Sequence, residues 1–414
     1  MQILIVNTFD IHGGAARAAY RLHRALLNAE VKSQMLVQSK MTDDYTVIGP
    51  RSKIERAICK VRPILDSMPV RFYKRRTKTL FSPSWVPFSE MARRINSLNP
   101  DIVHLHWVAG GLLGINEINK IKAPIVWSLH DDWVFTGGCH IKWSCDKYKD
   151  RCGACPNLNS TTEHDLSRII WNIKKSSFSR LQYLTLIAPS KWLAGCAKES
   201  SLLKDRRIVN LPNLIDTKRF RPLAKSTARD ILGLPKNKRL ILFGAYSATT
   251  DINKGFKELS AALNLIQRDD VEFIVFGSRE PIDTQQFKHK THYMGHLYDD
   301  ISLAVLYSAA DVMVVPSIQE AFSQTTVESM SCGTPIVAFG ATGLLDIVDH
   351  QKNGYLAKPF EIDDLAKGIE WILNSTDYEG LCRNARDKIT AEFDEKAVVK
   401  QYIDLYHEVM CRVG

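Results

Sequence analysis

The chain has 414 residues, 45% of them hydrophobic and 24% charged. This composition is typical of a globular protein that is too long for one hydrophobic core, so we expect two domains. No apolar run approaches the roughly 20 residues that cross a bilayer, and the N-terminus lacks the basic start and the length of a signal peptide, so we expect a cytoplasmic protein. The net charge of +10 indicates an anionic partner: nucleic acid, a membrane surface or a phosphate-rich substrate.

Short apolar runs rich in Val and Ile alternate with helical patterns along the whole chain, which predicts an α/β fold with parallel sheets covered by helices. The predicted strands of the first half are 3–7, 34–38, 102–106, 125–129 and 184–188. Those of the second half are 240–244, 272–276, 312–315 and 336–339. The segment 208–216 contains a proline and leads into Arg221-Pro222, which is typical of an interdomain connector. We therefore predict domains 1–215 and 216–394, followed by a helix over 395–414.

A pair of glycines follows the first predicted strand. Gly13 and Gly14 stand between that strand and a helical pattern. Such a loop lets the backbone approach a phosphate or a sugar at a helix N-terminus. On the glycines alone, a plain tight turn is an equally good interpretation, and their spacing does not match a dinucleotide site.

Most of the excess positive charge lies in segment 51–78. Its ten basic residues are Arg51, Lys53, Arg56, Lys60, Arg62, Arg71, Lys74, Arg75, Arg76 and Lys78, against only Glu55 and Asp66. Within it, Ile54, Ile58, Val61, Leu65 and Met68 recur at helical spacing. Such a stripe suits an anionic membrane surface, whereas a core-facing helix with a solvated basic face is the commoner outcome of the same periodicity. Nucleic acid is disfavoured as a partner, because no recognition motif or aromatic platform accompanies the charges.

Four of the nine cysteines cluster in a short segment: Cys139, Cys145, Cys152 and Cys155. Four thiolates can form a tetrahedral zinc shell, and the final pair has the usual ligand spacing, so a structural zinc is one interpretation. Reduced, unligated thiols are an interpretation of nearly equal weight, and disulfides come third. No catalytic role is assigned, because four sulfur ligands leave no open coordination position.

Two glutamates flank a predicted helix start in the second half. A strand ends at Val315, the following loop carries Glu320, and Ser323 can cap a helix that contains Glu328. Free amides at a helix start suit a diphosphate, and carboxylates accept hydrogen bonds from sugar hydroxyls. The pattern predicts a nucleotide-sugar site, although a single glutamate at either position would more often be an exposed surface residue.

The segment from Val315 to Val337 resembles the retaining glycosyltransferases of family 4, in which seven residues separate two glutamates, as they separate Glu320 and Glu328. Four other segments agree with the same family: the Gly13-Gly14 loop, the strand end 129–131, the connector 212–216 and Lys254-Gly255. Two regions depart from it. Segment 244–247 lacks an arginine. In the donor loop, Ala321 and Ser323 replace the glycines around the family's phenylalanine, and Ala341-Thr342-Gly343 replaces paired glycines.

The resemblance implies a glycosyltransferase B fold, with two Rossmann-like domains facing across a cleft and the C-terminal helix packing back on the first. The first domain would bind the acceptor and the second the donor. Lys254 would hold the donor diphosphate, Glu320 the sugar hydroxyls and Glu328 the ribose, while His130 would face the reacting centre. The resemblance also implies that the donor site includes Gly13, Gly14, Phe322, Ser323, Gln324 and Thr325. A lysine and a helix N-terminus can stabilise the leaving diphosphate, so no catalytic metal is expected.

We therefore predict a retaining, metal-independent hexosyltransferase of bacterial polysaccharide or lipopolysaccharide biosynthesis. Its partners would be a nucleotide diphosphate sugar, a glycan or lipid-linked acceptor and the anionic inner face of the cell membrane. The alternative from another class is a zinc-containing nucleic-acid-binding protein. A nucleotide-sugar epimerase or a phosphorylase with the same fold is a third interpretation.

Overall fold

The computed structural model describes residues 1–86, 90–245, 247–278 and 288–412, which form two compact units. The first unit comprises the chain up to Pro212 and the C-terminal residues from Val399, and the second comprises Asn213–Val398. Each unit contains one parallel sheet flanked by helices. The predicted fold class, α/β with two Rossmann-like domains, is confirmed.

The first unit is built on a seven-stranded parallel sheet of order β3-β2-β1-β4-β5-β6-β7. Its strands are β1 (Gln2–Phe9), β2 (Lys32–Ser39), β3 (Val47–Ile48), β4 (Ile102–Leu105), β5 (Ile125–Ser128), β6 (Leu184–Ala188) and β7 (Arg207–Asn210). Its α-helices are α1 (Gly14–Asn28), α2 (Lys53–Ser67), α3 (Met91–Ser97), α4 (Ile115–Ile118), α5 (Leu166–Ser179) and α6 (Lys191–Glu199). Short 3-10 helices cover Met68–Phe72, Trp133–Phe135, Lys147–Lys149 and Pro156–Leu158.

The second unit is built on a six-stranded parallel sheet of order β10-β9-β8-β11-β12-β13. Its strands are β8 (Arg239–Gly244), β9 (Val271–Phe276), β10 (Thr291–Tyr293), β11 (Val312–Val315), β12 (Ile336–Phe339) and β13 (Gly354–Ala357). The helices are α7 (Lys225–Leu232), α8 (Phe256–Leu265), α9 (Asp300–Ala309), α10 (Gln324–Ser331), α11 (Ile362–Leu373) and α12 (Tyr378–Glu392), followed by α13 (Glu395–Cys411). The 3-10 helices are Ile252–Lys254 and Thr342–Asp346.

The topology places the predicted site residues at the carboxyl ends of the central strands. In each sheet the first strand lies in the interior, with β1 beside β4 and β8 beside β11. The strand order reverses between these two strands, so the loops that leave their carboxyl ends diverge. Open α/β sheets bind ligands in the crevice between such loops. Loops at the carboxyl ends of β1, β5 and β11 carry Gly13, His130 and Glu320.

All nine predicted strands are present within one or two residues of their predicted bounds. The four strands that the prediction omits, β3, β7, β10 and β13, are short and lie at or beside a sheet edge. Strand β7 occupies the first residues of the segment predicted as a connector, so that prediction is wrong for 208–210. Edge strands bury fewer side chains, and their apolar pattern is correspondingly weak.

Helix α13 continues from the second unit into the first. In the first unit, the Tyr406 hydroxyl lies 2.7 Å from His104 Nδ1, and the Tyr402 hydroxyl donates to the carbonyl of Pro212 at 3.3 Å. Val399, Tyr402, Leu405 and Tyr406 are buried, as the apolar stripe of this helix requires. The stripe of α2 is not buried, so the core-facing interpretation of that helix is wrong. None of the helices in the described ranges has the length and hydropathy of a membrane-spanning segment.

Candidate functional site

The second unit brings Lys254 and Glu320 into direct contact. Lys254 Nζ donates to Glu320 Oε1 at 2.7 Å, and both side chains are largely but not completely buried. Burial lowers the pKa of the ammonium, but the adjacent carboxylate outweighs that effect and raises the pKa of Lys254 above its usual value. The pair therefore combines a cation for phosphate with an acceptor for sugar hydroxyls, the two roles predicted for these residues.

The loop of Lys254 is held against the loop of Glu320 by a buried asparagine. Asn253 Nδ2 donates to the carbonyl of Gln319 at 2.8 Å, and Asn253 Oδ1 accepts from the Gln319 amide at 3.0 Å. Gly255 has φ +69°, and a Cβ there would lie 2.0 Å from the carbonyl oxygen of Pro316. This close backbone contact explains why a glycine follows Lys254.

Helix α10 begins beside this pair and is capped as predicted. The Ser323 hydroxyl accepts from the Thr326 amide, and Gln324 and Thr325 form the half-exposed first turn. Free amides of such a turn favour an anion. Phe322 is buried in the core and its ring packs against Phe393. Only the backbone of Phe322 is therefore available to a donor.

Glu328 lies inside α10 and has a different environment from Glu320. Its side chain is 2% exposed, and its Oε2 accepts from the Tyr307 hydroxyl at 2.7 Å. A buried carboxylate requires such donors because its desolvation is costly. The structure thus joins Lys254 to Glu320 but gives Glu328 a partner on α9.

The segment that departs from the paired glycines contacts the backbone of Glu320. Thr342 Oγ1 accepts from the Glu320 amide at 3.0 Å, and the Gly343 amide donates to the Glu320 carbonyl at 2.9 Å. Thr342 has φ +53°, which is unfavourable for a β-branched residue. The strained threonine helps to fix Glu320. The other departure, the missing arginine in 244–247, includes Tyr246, which lies outside the described residues.

In the first unit, the glycine loop leads directly into α1. Gly13 is the N-cap with φ +89°, and its position carries no side-chain cap. A Cβ placed on Gly13 or Gly14 meets no atom within 4 Å, so the space in front of the helix is open. The positive φ explains the glycine at 13, and the open helix start suits an anion or a sugar.

His130 follows β5 and belongs to a row of three histidines. His130 Nε2 lies 2.8 Å from His106 Nδ1, and the ring of His106 lies 4.3 Å from that of His104. Burial lowers the pKa of His104 to about 3 and the pKa of His106 well below its usual value. Burial also lowers the pKa of His130 to about 4, although Asp131 opposes the shift. All three imidazoles are therefore neutral near pH 7, and His130 can donate or accept a hydrogen bond without carrying charge.

Trp107 contacts both the end of β1 and the loop that follows β5. Its indole Nε1 donates to Asp131 Oδ2 at 3.0 Å, and its ring stacks on Phe9 at 6.3 Å. The same oxygen of Asp131 lies 2.6 Å from His140 Nδ1. Burial raises the pKa of Asp131, but the interaction with His140 outweighs it, and the pKa lies below its usual value.

The four clustered cysteines line one cavity of about 300 Å³. Cys139 Sγ and Cys155 Sγ lie 3.6 Å apart, and Cys152 Sγ accepts from the Gly137 amide. Across the part of the chain that the structure describes, no three His, Cys, Asp or Glu side chains form a group that could hold a metal ion. The geometry therefore does not support the zinc prediction for Cys139, Cys145, Cys152 and Cys155.

Sequence reasoning did not identify Asn253, Tyr307, Thr342 or His106 as parts of the site. Asn253 carried a usable signal, since a loop asparagine tends to hydrogen-bond to nearby backbone groups. Thr342 stands out in the sequence only as a departure from glycine. Tyr307 and His106 contact site residues across helices and strands, and no local pattern predicts such contacts.

Comparison with known proteins finds family matches over most of the chain. The family model described as Glycosyltransferase Family 4 matches residues 12–219, and the model described as Glycosyl transferases group 1 matches residues 224–389. The Escherichia coli K12 protein WcaC, a glycosyl transferase assigned to colanic acid biosynthesis, is 24% identical over 86% of this chain and 86% of its own.

Two solved structures show the same fold. Sucrose-phosphate synthase from Thermosynechococcus elongatus superposes with a TM-score of 0.70 at 19% identity, covering 100% of both chains. Anabaena HepE in complex with UDP superposes with a TM-score of 0.64 at 17% identity, covering 99% of this chain and 100% of that one. With its two Rossmann-like domains, the chain has the glycosyltransferase B fold, and it is a glycosyltransferase that belongs to family 4.

Proposed function

We propose that this glycosyltransferase retains the anomeric configuration while it moves a hexose from a nucleotide diphosphate sugar to a glycan or lipid-linked acceptor in bacterial polysaccharide synthesis. The observation that carries the proposal is the ion pair between Lys254 and Glu320. Glu320 lies four residues before the first residue of α10. A cation, a carboxylate and a helix N-terminus are the three groups that a sugar diphosphate requires at its phosphates and hydroxyls.

The reaction breaks the bond between the anomeric carbon and the diphosphate oxygen and forms a bond from that carbon to an acceptor hydroxyl oxygen. The proton of the acceptor hydroxyl passes to the leaving diphosphate. Negative charge develops on the leaving diphosphate. We assign Lys254 and the first-turn amides of α10 to that charge, because fixed positive groups at a developing anion lower the barrier. This role does not depend on a metal ion. Glu320 would exchange part of its contact with Lys254 for a donor sugar hydroxyl.

The remaining roles follow the family resemblance. Glu328, held by Tyr307, would accept from the ribose hydroxyls, and neutral His130 would bond to the donor sugar. The second unit would hold most of the donor, and the first unit would bind the acceptor. Retention of configuration rests on the family alone.

The sugar-nucleotide and pathway assignments draw on related proteins. HepE was solved with UDP, which makes UDP-sugars the first donors to test. WcaC is assigned to colanic acid biosynthesis, which favours a growing glycan as acceptor. A lipid-linked acceptor would place the enzyme peripherally on the cytoplasmic face of the membrane.

Two measurements test the proposal. First, thermal unfolding with a panel of UDP-, GDP- and ADP-sugars should show stabilisation by one donor, because a ligand that binds the folded state raises the melting temperature. Second, donor hydrolysis with that sugar should fall at least about 100-fold in Lys254→Ala, as expected for a group that contacts the transition-state charge. Anomeric analysis of the released sugar by NMR reports whether configuration is retained.

Lys257→Ala is the matched control, because Lys257 is exposed on α8 just after Lys254. Full activity in Lys254→Ala would remove the assigned site. Formation of an epimerised sugar would instead indicate an epimerase. Formation of a sugar phosphate when inorganic phosphate is added would indicate a phosphorylase.

A further inference from the structure

Helix α2 and the residues that follow it form an exposed surface that the donor site does not use. Its apolar part consists of Ile54 (74% exposed), Ile58 (51%), Val61 (48%), Leu65 (39%), Met68 (47%) and Phe72 (86%). The first five are spaced by four and three residues, so they line one face of the helix. A contiguous exposed row of large aliphatic side chains marks an interaction site.

The fold holds this α2 surface in place. Ser52 caps the helix by accepting from the Glu55 amide at 3.0 Å. Asp66, the buried residue of α2, accepts from the Trp85 amide at 3.2 Å, and Arg62 Nε donates to the carbonyl of Gly111. Helix α2 is thus attached to the first unit along one side and presents its apolar face outward.

The charge on the α2 surface is almost entirely positive. Nine of its basic residues are exposed, namely Arg51, Lys53, Arg56, Lys60, Arg71, Lys74, Arg75, Arg76 and Lys78. Glu55 is the exposed acidic residue of the same segment, because Asp66 is buried. The surface is therefore complementary to an anionic partner over its whole length.

Charge and apolarity together select one class of partner. Two copies of the chain pairing through this surface would bring two sets of nine cations together, which is unfavourable. Nucleic acid matches the charge but has no use for a row of aliphatic side chains. An anionic bilayer matches both, because its headgroups attract Lys and Arg while its acyl region accepts Ile, Val, Leu, Met and Phe.

We propose that the α2 surface docks the first unit on an anionic lipid bilayer, with α2 lying in the plane of the headgroups. The apolar row enters the boundary of the acyl region, and the basic residues on the flanks and in 71–78 contact lipid phosphates. This inference is independent of the donor chemistry. It adds a specific docking face to the peripheral location that a lipid-linked acceptor would require.

The test is co-sedimentation of the full chain with vesicles of phosphatidylcholine alone or mixed with phosphatidylglycerol. We expect binding to the mixed vesicles, weaker binding at high salt, and at least about a ten-fold lower partition coefficient for Ile58→Asp/Val61→Asp, which places two charges in the apolar row. Ile231→Asp is the matched control, since Ile231 is an exposed isoleucine on helix α7. Lys74→Gln/Arg75→Gln should weaken binding mainly at low salt.

Three results would overturn the proposal. They are no binding to anionic vesicles, equal binding by Ile58→Asp/Val61→Asp, and a dimer in sedimentation velocity that this variant dissociates. Unchanged melting temperatures would show that the variants are folded, as expected for exposed positions. Donor hydrolysis should be unaffected by them, so a failure of the donor site and a failure of membrane docking are distinguishable.

Discussion

Lys254 Nζ lies 2.7 Å from Glu320 Oε1, although the two residues are 66 positions apart in the chain. In the absence of a donor the two residues neutralise each other, so a sugar diphosphate has to compete with this contact. Breaking a largely buried pair has a cost, because each charge then needs a new partner. The pair keeps both groups ordered until the donor supplies a phosphate for the cation and a hydroxyl for the carboxylate.

Glu320→Gln should separate nucleotide binding from sugar transfer. The substitution releases Lys254 from its carboxylate, so we expect the affinity for the free nucleoside diphosphate to be unchanged or up to about ten-fold higher. Turnover of the donor should fall by about 10- to 1,000-fold, since the acceptor for the sugar hydroxyl is weakened. Calorimetry with the nucleoside diphosphate and a hydrolysis assay measure the two effects. Unchanged turnover would show that Glu320 does not contact the sugar.

Asn253→Ala should loosen the loop that carries Lys254. The change leaves the backbone groups of Gln319 without the buried Asn253 amide, which costs about 1–3 kcal/mol. We expect a lower melting temperature together with a higher KM for the donor. Asn253→Asp keeps the acceptor but loses the donor, so it should be intermediate or worse. If donor KM stays at the wild-type value in both variants, the loop does not position Lys254.

Substitutions of Thr342 test whether its hydroxyl positions the backbone of Glu320. Thr342→Val removes the hydroxyl that accepts from the Glu320 amide, and turnover should fall by about three- to thirty-fold as the loop loses a buried hydrogen bond. Thr342→Ser retains the hydroxyl and should restore most of the activity. Equal activity of the valine and serine variants would assign no positioning role to the hydroxyl.

The histidine row predicts a loss of stability in acid. A histidine with a lowered folded-state pKa stabilises the fold above the unfolded-state pKa near 6.5, and the stability is lost as the pH falls towards the folded-state value. With a folded-state pKa of about 4 for His130, of about 3 for His104 and well below the usual value for His106, each histidine should contribute a slope of about 1.4 kcal/mol per pH unit near pH 5.

Melting temperatures measured from pH 7 to pH 4 check this slope. His106→Gln should reduce the slope of unfolding free energy against pH by about 1.4 kcal/mol per pH unit, which corresponds to one proton. The comparison is made after subtracting any loss of stability at pH 7. A pH dependence identical to that of wild type would mean that His106 does not resist protonation.

Asp66 predicts the opposite pH dependence. Burial raises its pKa to about 6, so its contribution to stability is present below the unfolded-state value near 4 and is lost as the pH rises through 6. Asp66→Asn cannot ionise and can still accept from the Trp85 amide. We expect this variant to gain on the order of 2 kcal/mol over wild type above pH 7 and nothing at pH 4. Thermal unfolding at the two pH values measures the difference, and equal gains at both would contradict it.

Much of the architecture was predictable because it depends on local patterns. The strands of both sheets are runs of Val, Ile and Leu, and these runs must be buried wherever they lie. The same holds for the cap at Ser323, for the glycine at 13 with its positive φ, and for the helical spacing of α2. The spacing of Glu320 and Glu328 identified the family. It did not show that Lys254 contacts Glu320 or that Tyr307 contacts Glu328.

The amino-acid sequence by itself determined the fold class, the nine interior strands of the two sheets, the family, and the residue types available for a sugar diphosphate, since each follows from local periodicity or a short motif. Only the tertiary structure decided which side chains meet. It joined Lys254 to Glu320 through Asn253, aligned three histidines from neighbouring strands, and left the apolar face of α2 exposed. These outcomes depend on contacts between residues distant in the chain, and a periodic pattern indicates that a face is apolar without indicating what covers it.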